Sequence, residues 1–197
     1  MELNKVLVIH PNDLSTRYLK GLYENIQDVT VIDETFSDDE IMDAIKSDEF
    51  ETIMMLGHGC AYGLFAPTNE DGFFRQFGRM IINPNHADIL REKKCIGIWC
   101  NASEYAVSNG LSGLFSSMVI SELSEARMLS VPVRDQIQMN EHNDFWLSSL
   151  NECITKYNGK EVPNKMAEYI YPREMTPLEM FNFNSLHYIV EGKEQWL

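Results

Sequence analysis

The chain has 197 residues, of which 44% are hydrophobic and 23% charged, a size and composition that suit one domain over residues 1–197. Its formal charge of −14 argues against a nucleic-acid or anionic membrane partner, because phosphate groups are bound by clustered Lys and Arg. No apolar stretch reaches the roughly 18 residues of a membrane span, and the amino-terminal apolar run is too short for a signal peptide. We therefore expect a cytoplasmic protein whose four cysteines are free thiols.

The first half of the chain alternates short apolar runs with helical patterns. These runs predict strands at 5–10, Val29–Ile32, Thr52–Leu56 and 95–100. Asp13 is predicted to cap a helix after the first strand, and a capping box at Ser37 predicts a second helix.

The second half is predicted to contain a helix at 111–126, a fifth strand at 128–133 and a long helix at about 135–157. Pro132 weakens the fifth strand, and residues 187–190 are a candidate for one more. Strands that alternate with helices indicate a three-layer α/β fold, with a mostly parallel central sheet and helices on both faces. Right-handed crossovers favour the strand order 2-1-3-4-5 with the first four strands parallel.

Two chemically active side chains follow neighbouring strands of this predicted sheet. His58 comes just after the third strand and Cys100 closes the fourth, so both belong to the carboxyl edge, where functional groups gather in such sheets. A cysteine attacks as its thiolate, and a histidine within hydrogen-bond reach can take its proton and later protonate a leaving amine. The pair therefore predicts a Cys–His dyad for acyl transfer.

Acyl transfer also needs donors for the developing oxyanion. The backbone N–H of Gly59 is one candidate, since no side chain blocks approach there, and the N–H of Cys100 is a second. A metal site formed by His58, Cys60 and Cys100 was the alternative chemistry, but it lacks a fourth ligand, so we expect neither metal nor cofactor.

The segments TIMMLGHG (52–59) and CIGIWCNAS (95–103) resemble the caspase-like cysteine peptidases, which include caspases, metacaspases, legumain, gingipain and the CHAT proteins. The separation of the two residues is compatible with the roughly 50 residues found in caspases, although the caspase signature around the cysteine is absent. The resemblance implies His58 as base, Cys100 as nucleophile and Gly59 as oxyanion donor. It also implies a peptide or protein substrate, and it allows a homodimer.

Asp135 follows the predicted fifth strand, so it is the candidate carboxylate for binding a basic substrate side chain. The simpler interpretation is that Asp135 caps the long helix. Two alternatives to the peptidase remain open. One is a caspase-like domain that binds or regulates without catalysis, and the other is a flavodoxin-like domain that binds a small ligand at the same edge.

Overall fold

The computed structural model describes residues 5–67, 77–170 and 174–195. Within these ranges the chain forms a seven-stranded sheet and a smaller three-stranded sheet. In chain order the strands are β1 (Val6–Ile9), β2 (Val29–Ile32), β3 (Thr52–Leu56), β4 (Gly59–Cys60), β5 (Gly63–Pro67), β6 (Phe77–Ile82), β7 (Lys94–Ile98), β8 (Gly113–Ser116), β9 (Leu186–Val190) and β10 (Lys193–Glu194). The larger sheet has the order β10-β9-β8-β7-β3-β1-β2. From β2 to β8 its strands are parallel, whereas β9 runs antiparallel to β8, and β10 to β9.

The helices in the same ranges lie between and after these strands. They are α1 (Asp38–Lys46), α2 (Ala87–Leu90), α3 (Ala102–Asn109), α4 (Leu123–Met128), α5 (Gln136–Lys156), α6 (Val162–Ile170) and α7 (Pro177–Phe183), with short 3-10 helices at Arg17–Leu22, Pro84–His86 and Gly159–Glu161. α1 begins at the predicted capping box, in which the Ser37 hydroxyl accepts the Glu40 N–H and the Glu40 carboxylate accepts the Ser37 N–H. No helix in the described ranges combines the length and apolarity needed to cross a membrane.

Helices cover both faces of the large sheet, as predicted. Every residue of β1 is buried, and its side chains alternate between two apolar clusters. On one face Leu7 lies in the cluster that contains Ile41 of α1, and on the other Val8 lies in the cluster that contains Leu150 of α5. Because a fully buried side chain of this size contributes about 1.5–3 kcal/mol, the two clusters fix the three-layer α/β arrangement.

The first four predicted strands have the predicted order and direction. β1 pairs in parallel with both β2 and β3, and β3 pairs in parallel with β7. The register of the last pair sets Leu56 opposite Ile98. A single further hydrogen bond, from the Gly57 N–H to the Ile98 carbonyl at 3.1 Å, extends this register one residue beyond the strands.

The prediction of the fifth strand is wrong. β8 occupies that position in the sheet, and it lies within the segment 111–126 that was predicted as a helix. Residues 128–133, predicted as the strand, are the end of α4 and a turn in which Ser130 has a φ of 57°. β8 can form because Gly113 has a φ of +147° and approaches β7 so closely that a Cβ would lie 1.8 Å from the Cys95 carbonyl oxygen.

The small sheet β4-β5-β6 was not predicted either, since the sequence indicated a connection over residues 60–85. It is antiparallel and contacts the end of β7 through Trp99. The indole Nε1–H of Trp99 donates to the Cys60 carbonyl at 3.1 Å. A Cβ on Gly59 would lie 2.2 Å from the same indole, so the close approach of β4 requires glycine there.

The carboxy-terminal part agrees with the sequence in two of its elements. α5 matches the predicted long helix, and β9 matches the predicted last strand. α6 and α7 were not predicted, because the prolines of this region had indicated irregular chain. Pro177 instead stands in the first turn of α7, behind a capping box at Thr176, a position where proline is favourable.

Candidate active site

His58 and Cys100 lie side by side at the carboxyl edge of the large sheet. Each comes two residues after a member of the matched pair Leu56 and Ile98, so both residues leave the sheet at the same edge, from adjacent strands. Neighbouring strands are about 4.8 Å apart, which leaves only the side chains to span the gap. This register agrees with the prediction that both residues follow adjacent strands, and the catalytic roles of His58 and Cys100 stay a prediction.

Both side chains line one narrow cavity. Its apolar walls come from Leu19, Ile98 and Val119. The cavity has a volume of about 20 Å³, which is room for little more than one water molecule.

The His58 ring is held by a turn that follows β1. Its Nε2 lies 2.7 Å from the Ser15 hydroxyl oxygen, and that hydroxyl donates to Asp13 Oδ1 at 2.6 Å. The same carboxylate oxygen lies 3.9 Å from Nε2, and both the His58 and the Asp13 side chains are largely buried. Sequence analysis missed Ser15 and considered Asp13 only as a helix cap, since nothing in the local pattern links this turn to a residue 43 positions away.

Cys100 stands in a tight strand–turn–helix connection. β7 ends at Ile98, and α3 begins at Ala102 behind Asn101, which has the left-handed angles φ 65° and ψ 30°. The Asn101 N–H donates to the Ser117 carbonyl, and the Ala102 N–H donates to the Trp99 carbonyl, both at 3.2 Å. The turn is thus fixed on both sides of Cys100. A non-glycine residue in the left-handed region is uncommon, and asparagine adopts it more readily than most.

The surroundings of the Cys100 thiol favour its protonated form. Burial and, to a lesser extent, the nearby Glu125 carboxylate raise the pKa of this thiol to about 11, against the opposing effect of the Val119 and Cys100 N–H groups. Cys100 and His58 are therefore neighbours, and the raised pKa of Cys100 favours a neutral thiol over a preformed thiolate–imidazolium pair.

Acidic side chains surround the entrance beside Cys100. Glu125 lines the narrow cavity, and its carboxylate is fixed by the N–H groups of Ser121 at 2.8 Å and Glu122 at 3.1 Å. Tyr18 and Ser121 also line a second, open cavity of about 550 Å³, whose ionisable residues besides Tyr18 are Glu122 and Asp144. Among the residues that the structure describes, no Lys, Arg or His lines this open cavity. The surroundings of the two cavities thus favour a cationic group over an anionic one.

Gly59 lies in β4, next to His58 and opposite Leu64 of β5. The neighbouring His58 carbonyl accepts the Phe65 N–H at 2.7 Å, which fixes the direction of the backbone at this point. The packing of Trp99 on Gly59 is a structural reason for glycine here. The role of the Gly59 N–H as an oxyanion donor stays a prediction.

The position expected for Asp135 is wrong, because the strand that was to carry it to the functional edge does not exist. Asp135 is the half-exposed N-cap of α5, and its side chain accepts the Gln138 N–H at 2.9 Å. The Arg134 guanidinium and this N–H hold the pKa of the Asp135 carboxyl below its usual value. Asp135 is absent from the walls of both cavities beside Cys100. The simpler interpretation, a helix cap, describes its contacts.

Comparison with known proteins adds no relative to this description: no family model and no curated protein matches the chain. In the described ranges, no three His, Cys, Asp or Glu side chains come together as a metal ion would require. The chemistry of the site therefore has to be argued from the geometry of its own side chains.

Proposed function

We propose that the chain is a caspase-like cysteine peptidase in which Cys100 is the nucleophile and His58 the general base. The observation that supports this proposal most strongly is the shared cavity of these two side chains at the carboxyl edge of adjacent parallel strands. A nucleophile and a base from different strands, with a third group behind the base, is the arrangement that acyl transfer requires.

The reaction proceeds by the chemistry of the two side chains. His58 takes the thiol proton as Cys100 Sγ bonds to the substrate carbonyl carbon, and the N–H groups of Gly59 and Cys100 are the candidate donors to the oxyanion. His58 then gives the proton to the amine as the C–N bond breaks, which leaves a thioester on Cys100. A water molecule attacks the thioester, its proton passes through His58 to sulfur, and the carboxylic acid is released.

The raised pKa of Cys100 determines when the thiol loses its proton in this mechanism. With the pKa of Cys100 near 11, roughly one thiol in ten thousand is ionised at pH 7. Proton transfer to His58 therefore accompanies the attack on the carbonyl. Substrate binding at the mouth would bring reactant and base together, as is usual for sites whose hydrogen bonds tighten only in the complex.

The charge around the site favours a substrate with a basic residue before the scissile bond. Glu125 lines the narrow cavity that contains His58 and Cys100. Glu122 and Asp144 line the open cavity, which shares Tyr18 and Ser121 with the narrow one. A carboxylate pairs with Arg in a bidentate manner and with Lys as a point charge. We therefore propose Arg or Lys at this position and give Asp135 no part in specificity.

A second candidate function is a caspase-like domain that binds a peptide without cleaving it. Two observations favour it: the raised pKa of Cys100 and the small volume of the cavity at the dyad. In both functions the partner is a peptide or protein, and we place the chain in the cytoplasm because all four cysteines are free thiols.

A peptide library in which every residue type occurs before a scissile bond separates the two functions. The peptidase proposal expects cleavage after Arg or Lys, loss of cleavage in Cys100→Ala and His58→Ala, and retention in Cys60→Ala. Cys60 is a matched control because its thiol is also partly buried and it is close to His58 in the sequence. Cys60 does not line the narrow cavity. Saturable peptide binding without cleavage would contradict the peptidase and support the binding domain.

A further inference from the structure

The turn after β1 carries an Asp–Ser pair that reaches the His58 ring on one side. Asp13 Oδ1 accepts both the N–H of Ser15 at 2.8 Å and its hydroxyl at 2.6 Å. The same hydroxyl oxygen lies 2.7 Å from His58 Nε2. The three side chains are thus connected in series, with Ser15 in the middle.

The proton of the Ser15 hydroxyl determines the form of the histidine. A hydroxyl has one proton, and here it points to the Asp13 carboxylate, so only lone pairs of its oxygen face the imidazole. Nε2 must then carry a hydrogen and donate it to Ser15. In the neutral ring this makes Nδ1 the nitrogen that can accept a proton, because one nitrogen donates and the other accepts.

The charge of Asp13 also acts on the His58 ring. When His58 takes a proton it becomes a cation, and the Asp13 carboxylate lies 3.9 Å from its Nε2 in a largely buried setting. An opposite charge at this distance stabilises the protonated ring. The other ionisable side chains that share the cavity with His58 are Tyr18, Cys100 and Glu125.

We propose that Asp13 and Ser15 are positioning residues that hold His58 as its Nε2–H tautomer, which makes Nδ1 the basic nitrogen of the neutral ring, with Asp13 as the stabilising charge. The proposal rests on the proposed function for its role in catalysis. Its structural content, the tautomer and its dependence on Ser15, stands independently of any substrate. The same bonds argue against Ser15 as the nucleophile, because its hydroxyl proton is directed to the Asp13 carboxylate and not to His58.

The chain contains a matched control for this arrangement. Asp33 Oδ1 accepts the N–H of Thr35 at 3.0 Å and its hydroxyl at 2.6 Å, so the turn after β2 has the same local bonds. The bonds of that turn are exposed, and within the described part of the chain Thr35 does not bond to a histidine. Asp33→Asn and Thr35→Val therefore repeat the chemical change away from the site.

NMR of the ¹⁵N-labelled chain tests the tautomer directly. The two ring nitrogens of neutral His58 have shifts that differ by tens of ppm, and long-range correlations to the ring protons tell which one carries hydrogen. We expect the Nε2–H form in the unmodified chain, a shift toward the Nδ1–H form in Ser15→Ala, and retention in Ser15→Thr, which keeps the hydroxyl. The Nδ1–H form in the unmodified chain, or no change in Ser15→Ala, would overturn the proposal.

Kinetics on a cleaved peptide then test the role in catalysis. Asp13→Asn should lower kcat about 10- to 100-fold with little change in KM, a loss within the range of general-base effects, and Asp33→Asn should not. The acid limb of the pH profile should move to lower pH in Asp13→Asn, because the protonated ring loses its stabilising charge. An unmoved limb would overturn the positioning role, whereas turnover that survives Cys100→Ala and requires Ser15 would instead overturn the proposed function.

Discussion

The chain makes the same turn after β1 and after the neighbouring β2. In each, an aspartate oxygen accepts the N–H and the hydroxyl of the second residue that follows it, Ser15 for Asp13 and Thr35 for Asp33. The surroundings differ: Asp13 is buried and connects through Ser15 to His58, whereas the bonds of Asp33 are exposed. The local motif is thus only a turn, and what distinguishes the first copy is a third partner supplied by a distant strand.

The largest effect should come from removing that third partner. His58→Ala should lower peptide turnover by about 10³- to 10⁴-fold, because the base is lost. In the His58→Ala background, Asp13→Asn should cause no additional loss, since residues that act as a unit are not additive. Steady-state kinetics on the single and double variants measure this, and an additive loss would show that Asp13 acts independently of His58.

Stability should distinguish the two turns next. Asp13→Ala removes a buried acceptor from the N–H and hydroxyl of Ser15, which should lower the free energy of unfolding by about 1–3 kcal/mol. Asp33→Ala changes an exposed turn and should cost about 0.5 kcal/mol or less. Urea denaturation measures both. Equal losses would mean that burial of the first turn contributes nothing.

A smaller effect is expected from the charge of Glu125. In the unmodified chain, alkylation of Cys100 should become faster as pH rises toward about 11, the pKa set chiefly by burial of the thiol. Glu125→Gln keeps an acceptor for the Ser121 and Glu122 N–H groups but removes the charge, so the midpoint should move to lower pH. Glu92→Gln, at an exposed position before β7, is the control and should leave the midpoint unchanged. If Glu125→Gln leaves the midpoint unchanged, the Glu125 carboxylate does not affect the pKa of Cys100.

Asp135→Asn should have the smallest effect. Asparagine caps helices about as well as aspartate, and the Asp135 side chain is half-exposed and lies outside both cavities. Melting temperature and turnover of an Arg-containing peptide should therefore both be unchanged. A selective loss of cleavage after Arg, with no loss of stability, would restore Asp135 as a specificity residue.

Sequence alone was sufficient for the strands whose side chains are buried along their whole length. The apolar runs of β1 and β3 stand between clear helix signals, and this alternation predicted a parallel sheet in which His58 and Cys100 are neighbours. The same approach failed at β8, a four-residue strand with no alternation to separate it from a helix. Its formation depends on the close contact of Gly113 with β7, which is a tertiary fact.

The parts of the site that were missed share one cause. The bond between Ser15 and His58 joins residues 43 positions apart, and the effect of Glu125 on Cys100 arises from a helix that was misplaced in the prediction. Asp135 was assigned to the site for the same reason, through the strand at 128–133 that does not form. Local patterns located the candidate residues His58 and Cys100, but the groups that surround these two side chains depend on how distant segments pack.

A peptidyl acyloxymethyl ketone with lysine next to the reactive carbonyl tests the pairing of His58 and Cys100 most directly. The reagent alkylates a cysteine that a neighbouring base activates within a bound complex, and peptide mapping by mass spectrometry identifies the modified residue. We predict one adduct, on Cys100, that forms in the Cys60→Ala variant and is lost in His58→Ala. An adduct on Cys100 that forms equally fast without His58, or modification of Cys60 in its place, would contradict the catalytic pair.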